Sequence, residues 1–132
     1  MNVRSELAKK LTDENSSLRI DKFIKQCLHE KNSYYTDHNP IGKDYDFVTA
    51  PEISQMFGEI IGLYILNYWL TKIDSRFNLI ELGPGKGTLL KDILRVSKIN
   101  NQFIKNAKIT LIDKNIELIK LQKEIVNSFD IK

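Results

Sequence analysis

Three glycines spaced two apart, Gly83, Gly85 and Gly87, stand in the run Glu81-Leu82-Gly83-Pro84-Gly85-Lys86-Gly87-Thr88. The run follows a short apolar segment, Phe77 to Leu82, and opens a helical pattern at Thr88. Such a loop lies at the carboxyl end of a strand, where open α/β sheets bind their ligands. Glycine there allows a tight turn and lets a ligand approach the backbone with no Cβ in the way. The helix behind it offers free N–H groups and a partial positive charge. Two phosphate-binding readings fail on spacing. A dinucleotide loop needs its third glycine where Thr88 stands, and a P-loop needs Ser or Thr where Gly87 follows Lys86. Asp113 ends a second apolar run, 26 positions after Gly87. A carboxylate at the end of an adjacent strand can accept hydrogen bonds from both hydroxyls of a ribose. Each feature alone also has a plain structural explanation: a Gly-rich turn without a ligand, and a solvated strand-end acid.

Placing these residues requires a strand over Phe77–Leu82, a helix over Thr88–Lys98, a polar connection over 99–107, a strand over Lys108–Ile112 and a last helix capped by Asn115. Leu89, Leu90, Ile93 and Leu94 face inward on the first helix; Leu118, Ile119, Leu121, Ile125 and Val126 are the apolar positions of the second. That order is α/β, the first β-α-β-α of a parallel, Rossmann-like sheet. Residues 1–72 read as a helical N-terminal segment and 73–132 as the partial ligand-binding domain.

Within the helical segment, a short helix is expected around Glu6–Leu11. A better one follows, capped by Ser17, with Ile20, Phe23, Ile24, Cys27 and Leu28 at helical spacing. Residues 33–48 read as a loop rich in turn formers and in Tyr and Phe. Thr49-Ala50-Pro51-Glu52 fits a capping box that starts a long helix. Ile53, Met56, Phe57, Ile60, Ile61, Tyr64 and Tyr68 form its apolar stripe. Gly58 and Gly62 lie on one face of it, each costing about 1 kcal/mol relative to Ala, which close approach of another backbone would explain.

Composition excludes several functions. Apolar residues make up 42% of the chain and charged ones 28%, ordinary for a soluble globular protein. The net charge of +3, with 16 Lys and 4 Arg in no dense run, does not favour a nucleic-acid partner. The longest uncharged apolar run, Ile60–Leu70, falls short of the roughly 20 residues that span a membrane. The single Cys27 cannot form an internal disulfide, so an intracellular, cytoplasmic setting is expected. His29 and His38 have no partners at ligand spacing, so no metal site is expected. No Ser/His/Asp or Cys/His set is visible.

The run from Glu81 to Thr88 resembles motif I of the class I methyltransferases. The upstream text narrows the resemblance. Tyr34-Tyr35, Ile41-Gly42, the run Asp46 to Gln55 and Phe57-Gly58-Glu59 are similar to the MidA-type methyltransferases, bacterial and mitochondrial relatives of a complex I assembly factor that methylates a protein arginine. Ile112-Asp113 and Leu118 to Gln122 match the family's next strand and helix, with Asp where Glu is usual. The resemblance covers residues 18–126. It implies a transferase of the S-adenosylmethionine methyl group to a protein side chain, an arginine nitrogen. It implies cofactor-binding roles for Glu81, Gly83, Pro84, Gly85, Gly87 and Asp113. It also places Thr49, Glu52, Ser54 and Gln55 near the cofactor mouth, although a helix cap already explains Thr49 and Glu52. No catalytic residue is assigned.

Departures are Ser33 and Tyr45, each where the family usually has Gly, and the absence of the later strands that carry acceptor-side groups. The sheet is therefore expected to be truncated. The rival expectations are a split-gene fragment, inactive alone and needing a complementing C-terminal fragment, or a helical interaction module around Thr49–Leu70.

Overall fold

The computed structural model describes residues 5, 8–9, 17–30, 33–37 and 47–129. The expected helix over 6–11 lies largely outside them, as do His38 and Tyr45. The chain parts into two compact units, residues 1–40 and 41–132, a cut well ahead of the 72/73 division expected from sequence.

The first unit holds helices α1 (Ile20–Leu28) and α2 (Tyr34–Asp37). Arg19, not Ser17, precedes α1, and its side chain pairs with Asp21 at 3.0 Å instead of capping the helix. The His29 and Tyr35 rings stack across the turn between the two helices.

The second unit runs α3 (Ala50–Ile53), α4 (Gln55–Tyr68), a π-helical turn (Trp69–Ile73), β1 (Phe77–Leu82), α5 (Thr88–Ser97), α6 (Asn101–Asn106), β2 (Ala107–Ile112) and α7 (Ile116–Ser128). The strands pair in parallel, Phe77 opposite Ala107 through Leu82 opposite Ile112. Gly83 extends the ladder one step, its N–H donating to the Ile112 carbonyl at 2.8 Å. The α/β class and the β-α-β-α order expected from the sequence are both present.

Four local differences have identifiable causes. The helix expected from Thr49 onward is broken at Ser54, whose backbone is extended (φ −146°, ψ 122°). No capping box forms: Thr49 makes no side-chain cap bond, and Glu52 accepts a hydrogen bond from the Thr88 hydroxyl instead. The polar connection contains α6, capped by Asn100, whose side chain accepts from the Gln102 and Phe103 N–H groups. Most importantly, the expected apolar stripe is not buried: Ile53 of α3 and Met56, Phe57, Ile60, Tyr64 and Tyr68 of α4 are exposed. Only Ile61 of the stripe is half-buried. The buried positions of α4 are Gly58, Gly62 and Leu66, and that face packs on α5.

The glycines explain the choice of face. A Cβ on Gly58 would stand 2.5 Å from the Asp92 Cβ, and one on Gly62 would stand 2.9 Å from the Ile93 Cα. The two backbones approach too closely for any side chain between them. Just beyond this seam, Trp69, Phe77 and Phe103 pack as an aromatic cluster, with centroid separations of 4.9 to 6.1 Å. Trp69 Nε1 donates to the Ser75 carbonyl at 2.8 Å, which satisfies the one polar atom of its buried ring. This cluster anchors the start of β1 at Phe77, six positions before Gly83.

Candidate functional site

The site grows from the carboxyl end of β1. Glu81 is the last but one residue of that strand, and the chain then turns through three left-handed glycines: Gly83 (φ 64°), Gly85 (φ 56°) and Gly87 (φ 83°). A side chain is strained in that region, and β-branched residues most of all. The Gly87 N–H closes the turn on the Pro84 carbonyl at 2.8 Å, and α5 starts at Thr88.

The glycines differ in what surrounds them. A Cβ on Gly83 would meet nothing within 4 Å, whereas one on Gly87 would stand 3.0 Å from Ile125 Cδ1 of α7. Gly83 thus borders open space, and Gly87 is packed. A recess of about 160 Å³ lies here, lined by the loop from Gly83 to Lys86, by Glu81, Thr88 and Leu89, and by Thr49 and Pro51 from the start of α3. The Glu52–Thr88 hydrogen bond holds α3 to the start of α5 on this side.

Glu81 is the unusual group. Its Oε2 is buried without a hydrogen-bond partner, and burial pushes its carboxyl above the ordinary value of 4.5. A buried carboxylate oxygen without a donor is costly. Its place in a recess supplies the explanation: a donor from a ligand can complete it.

Asp113 follows β2. Its Oδ1 accepts from the backbone N–H groups of Lys114 and Asn115, and its Oδ2 accepts from Gln122 Nε2 at 2.9 Å. Asn115 caps α7 as expected, accepting from Glu117 and Leu118. Gln122 was not foreseen as a site residue. Its signal in the sequence is a polar residue at helical spacing between Leu118 and Ile125, on the face that should be apolar. A second groove, about 390 Å³, runs between β2 and α7 and includes Asp113, Gln122 and the apolar Ile109 and Leu111.

Of the eight residues expected at the cofactor, five line the recess: Thr49, Glu81, Gly83, Pro84 and Gly85. Gly87 does not line it; it closes the turn on Pro84 and packs against α7. Asp113 lies at the neighbouring strand end. Gln55 lines neither space; it is exposed and donates to Glu59 at 2.6 Å. Among the described residues, no group of three or more His, Cys, Asp or Glu is placed to hold a metal, and no helix is long and apolar enough to cross a membrane.

A second buried carboxylate lies on the α4–α5 seam. Burial raises the Asp92 carboxyl above its ordinary value of 3.8; Arg95, which bonds Oδ1 at 2.8 Å, opposes this, and Glu59 adds to it. Both Glu81 and Asp92 therefore hold protons more tightly folded than unfolded. Their contribution to stability is full below the unfolded values and is lost as pH rises through the raised folded ones. Asp92→Asn is expected to flatten that decline, read as urea midpoints compared from about pH 4 to about pH 7. A decline of the same steepness in the variant would contradict the assignment.

The parallel strands, the glycine loop between β1 and α5, and the carboxylate closing β2 are those of an α/β domain of the methyltransferase class. Residues 60–131, more than half of the chain, match a family model described as "Putative S-adenosyl-L-methionine-dependent methyltransferase", and the chain belongs to that family. It is 42% identical over 96 residues to the bovine protein arginine methyltransferase NDUFAF7, mitochondrial, covering 71% of this chain and 22% of that protein. The human protein of the same name is 38% identical over the same shares. The zebrafish one is 47% identical over 64 residues, 48% of this chain and 15% of that protein. The chain thus spans about a fifth of the length of the curated relatives it matches. These relatives bear out the resemblance to the MidA-type family. They are mitochondrial proteins, which overturns the cytoplasmic setting expected from the single cysteine.

Proposed function

We propose that this chain forms the donor-binding portion of a protein arginine N-methyltransferase, with S-adenosylmethionine as its cofactor. The observation that carries the reading is the Glu81 carboxylate, buried and without a donor in a glycine-lined recess. The cofactor's amino group is a donor of the matching charge. The recess, about 160 Å³, is smaller than the roughly 300 Å³ or more of a complete small-molecule pocket, so it suits one end of the cofactor. Gly83 leaves the backbone accessible beside it, and Thr49 borders its rim. Asp113 takes the ribose. Rival use as a helical interaction module would account for the exposed stripe of α4 but not for the orphaned Glu81 oxygen.

When bound, the cofactor supplies a sulfonium-activated methyl group for direct displacement. The residues of this chain bind and orient the donor, and alignment is the larger part of catalysing such a transfer. The acceptor-side groups we assign to a complementing segment, in keeping with the roughly four-fifths of the bovine relative outside the match. The acceptor would be a protein arginine, as the relatives' names state for those proteins.

Calorimetric titration with S-adenosylhomocysteine tests the donor site without requiring turnover. Saturable heat is expected. Glu81→Gln is expected to weaken binding by about 10- to 100-fold, since a hydrogen bond to a charged group contributes about 1.5–3 kcal/mol. The same variant should be no less stable, because it removes a buried, unpartnered charge. Equal affinity in the two proteins, or no binding by either, would sink the reading.

A further inference from the structure

The Gln122 side chain joins the two loops that carry the proposed donor site. It is 2% exposed, and its amide nitrogen donates both to the Gly85 carbonyl at 2.8 Å and to Asp113 Oδ2 at 2.9 Å. Both partners are acceptors, so the amide orientation follows from the chemistry: the NH₂ must face them. The partners lie 37 and 9 positions away in sequence and meet only because β1 and β2 are neighbours in the sheet. The amide therefore fixes one loop relative to the other.

The hydrogen-bond inventory of Asp113 gives this a consequence. An ionised carboxylate offers about four acceptor positions. Oδ1 already takes the Lys114 and Asn115 N–H groups, and Oδ2 takes Gln122. One position, on Oδ2, is left open. Without Gln122, rotation of the carboxylate about its backbone-bound Oδ1 is unopposed on the Oδ2 side. The Gly85 carbonyl would also lose its donor, at the residue where the glycine loop borders the recess.

We infer that Gln122 is a positioning residue for donor binding. It aims the open acceptor of Asp113 at the ribose and holds the Gly85 peptide in the orientation that keeps the recess open. This rests on the proposed cofactor reading, and it goes further by assigning ribose recognition to a pair, with Gln122 acting through Asp113.

Gln122→Met retains the volume and removes the donor. In the full 132-residue chain it is expected to weaken S-adenosylhomocysteine by about 10-fold or more. It should weaken an analogue lacking both ribose hydroxyls far less, and add little to the loss already caused by Asp113→Asn. A merely structural role predicts the same loss for both ligands and additive losses in the double variant; that result would overturn the inference. A readout independent of the cofactor is amide hydrogen exchange. Faster exchange at Lys114 and Asn115 in Gln122→Met, with core amides unchanged, supports the inference, and unaltered exchange there overturns it. If Gln122→Met does not fold, Asp113→Asn alone must reproduce the ribose-dependent loss. Failure of the unaltered chain to bind either ligand would count against the cofactor reading itself, while exchange would still decide whether Gln122 holds Asp113.

Discussion

Gly83→Val is expected to weaken S-adenosylhomocysteine binding by about 100-fold or more while the chain remains folded. Two facts about the same residue lead there. Its φ of 64° is left-handed, so any side chain is strained, at a cost of roughly 1–2 kcal/mol. Its Cβ would meet no protein atom within 4 Å, so no packing clash adds to that strain. The space a valine would fill is the open side of the recess, which the proposed ligand needs. Gly87→Val is the instructive contrast. It combines a φ of 83° with a Cβ 3.0 Å from Ile125, so it should lose stability as well as affinity. Titration calorimetry alongside urea denaturation separates the two. Retained binding by Gly83→Val, or the same loss of stability in both variants, would show that the glycine loop does not border the ligand.

Legibility in the sequence divides along physical lines. β1 and the start of α5 were readable because an apolar run has no room for a helix before Gly83, and glycine punctuates sharply. The Asn115 cap was readable because capping is local chemistry. The recess residues from Glu81 to Gly85 were readable because one continuous loop holds them. Interactions between distant elements were not. Pattern alone gave α4 an apolar stripe to bury, yet close backbone approach at Gly58 and Gly62 decided which face packs on α5. Glu52 had a local partner available in the Thr49 capping box, and the Thr88 hydroxyl 36 positions away takes its place. Gln122 looked like one more residue of an amphipathic helix until β1 and β2 were paired. Only that pairing brings Gly85 and Asp113 within reach of one amide.

Trp69→Ala is expected to cost about 3–5 kcal/mol, the range for removing a fully buried ring. A chain of this length has a total stability on the order of 7–20 kcal/mol, so the change removes a large fraction of it. Trp69 is 2% exposed and touches the whole aromatic cluster, Phe77 at the start of β1 and Phe103 in α6. Its removal leaves a cavity between the helices and the strand. β1 loses its anchor four residues before Glu81, so donor binding should fall together with the fold. That joint loss distinguishes it from Gly83→Val. Trp69→Phe serves as the control. It keeps a ring in the cluster but leaves the Ser75 carbonyl without its Nε1–H donor, for an expected loss of about 1–3 kcal/mol. Far-UV circular dichroism through a urea titration measures both, since the only tryptophan is the one being replaced. A loss below about 1 kcal/mol for Trp69→Ala would mean that the cluster does not hold β1 against the helices, because a well-packed ring cannot be removed at so small a cost.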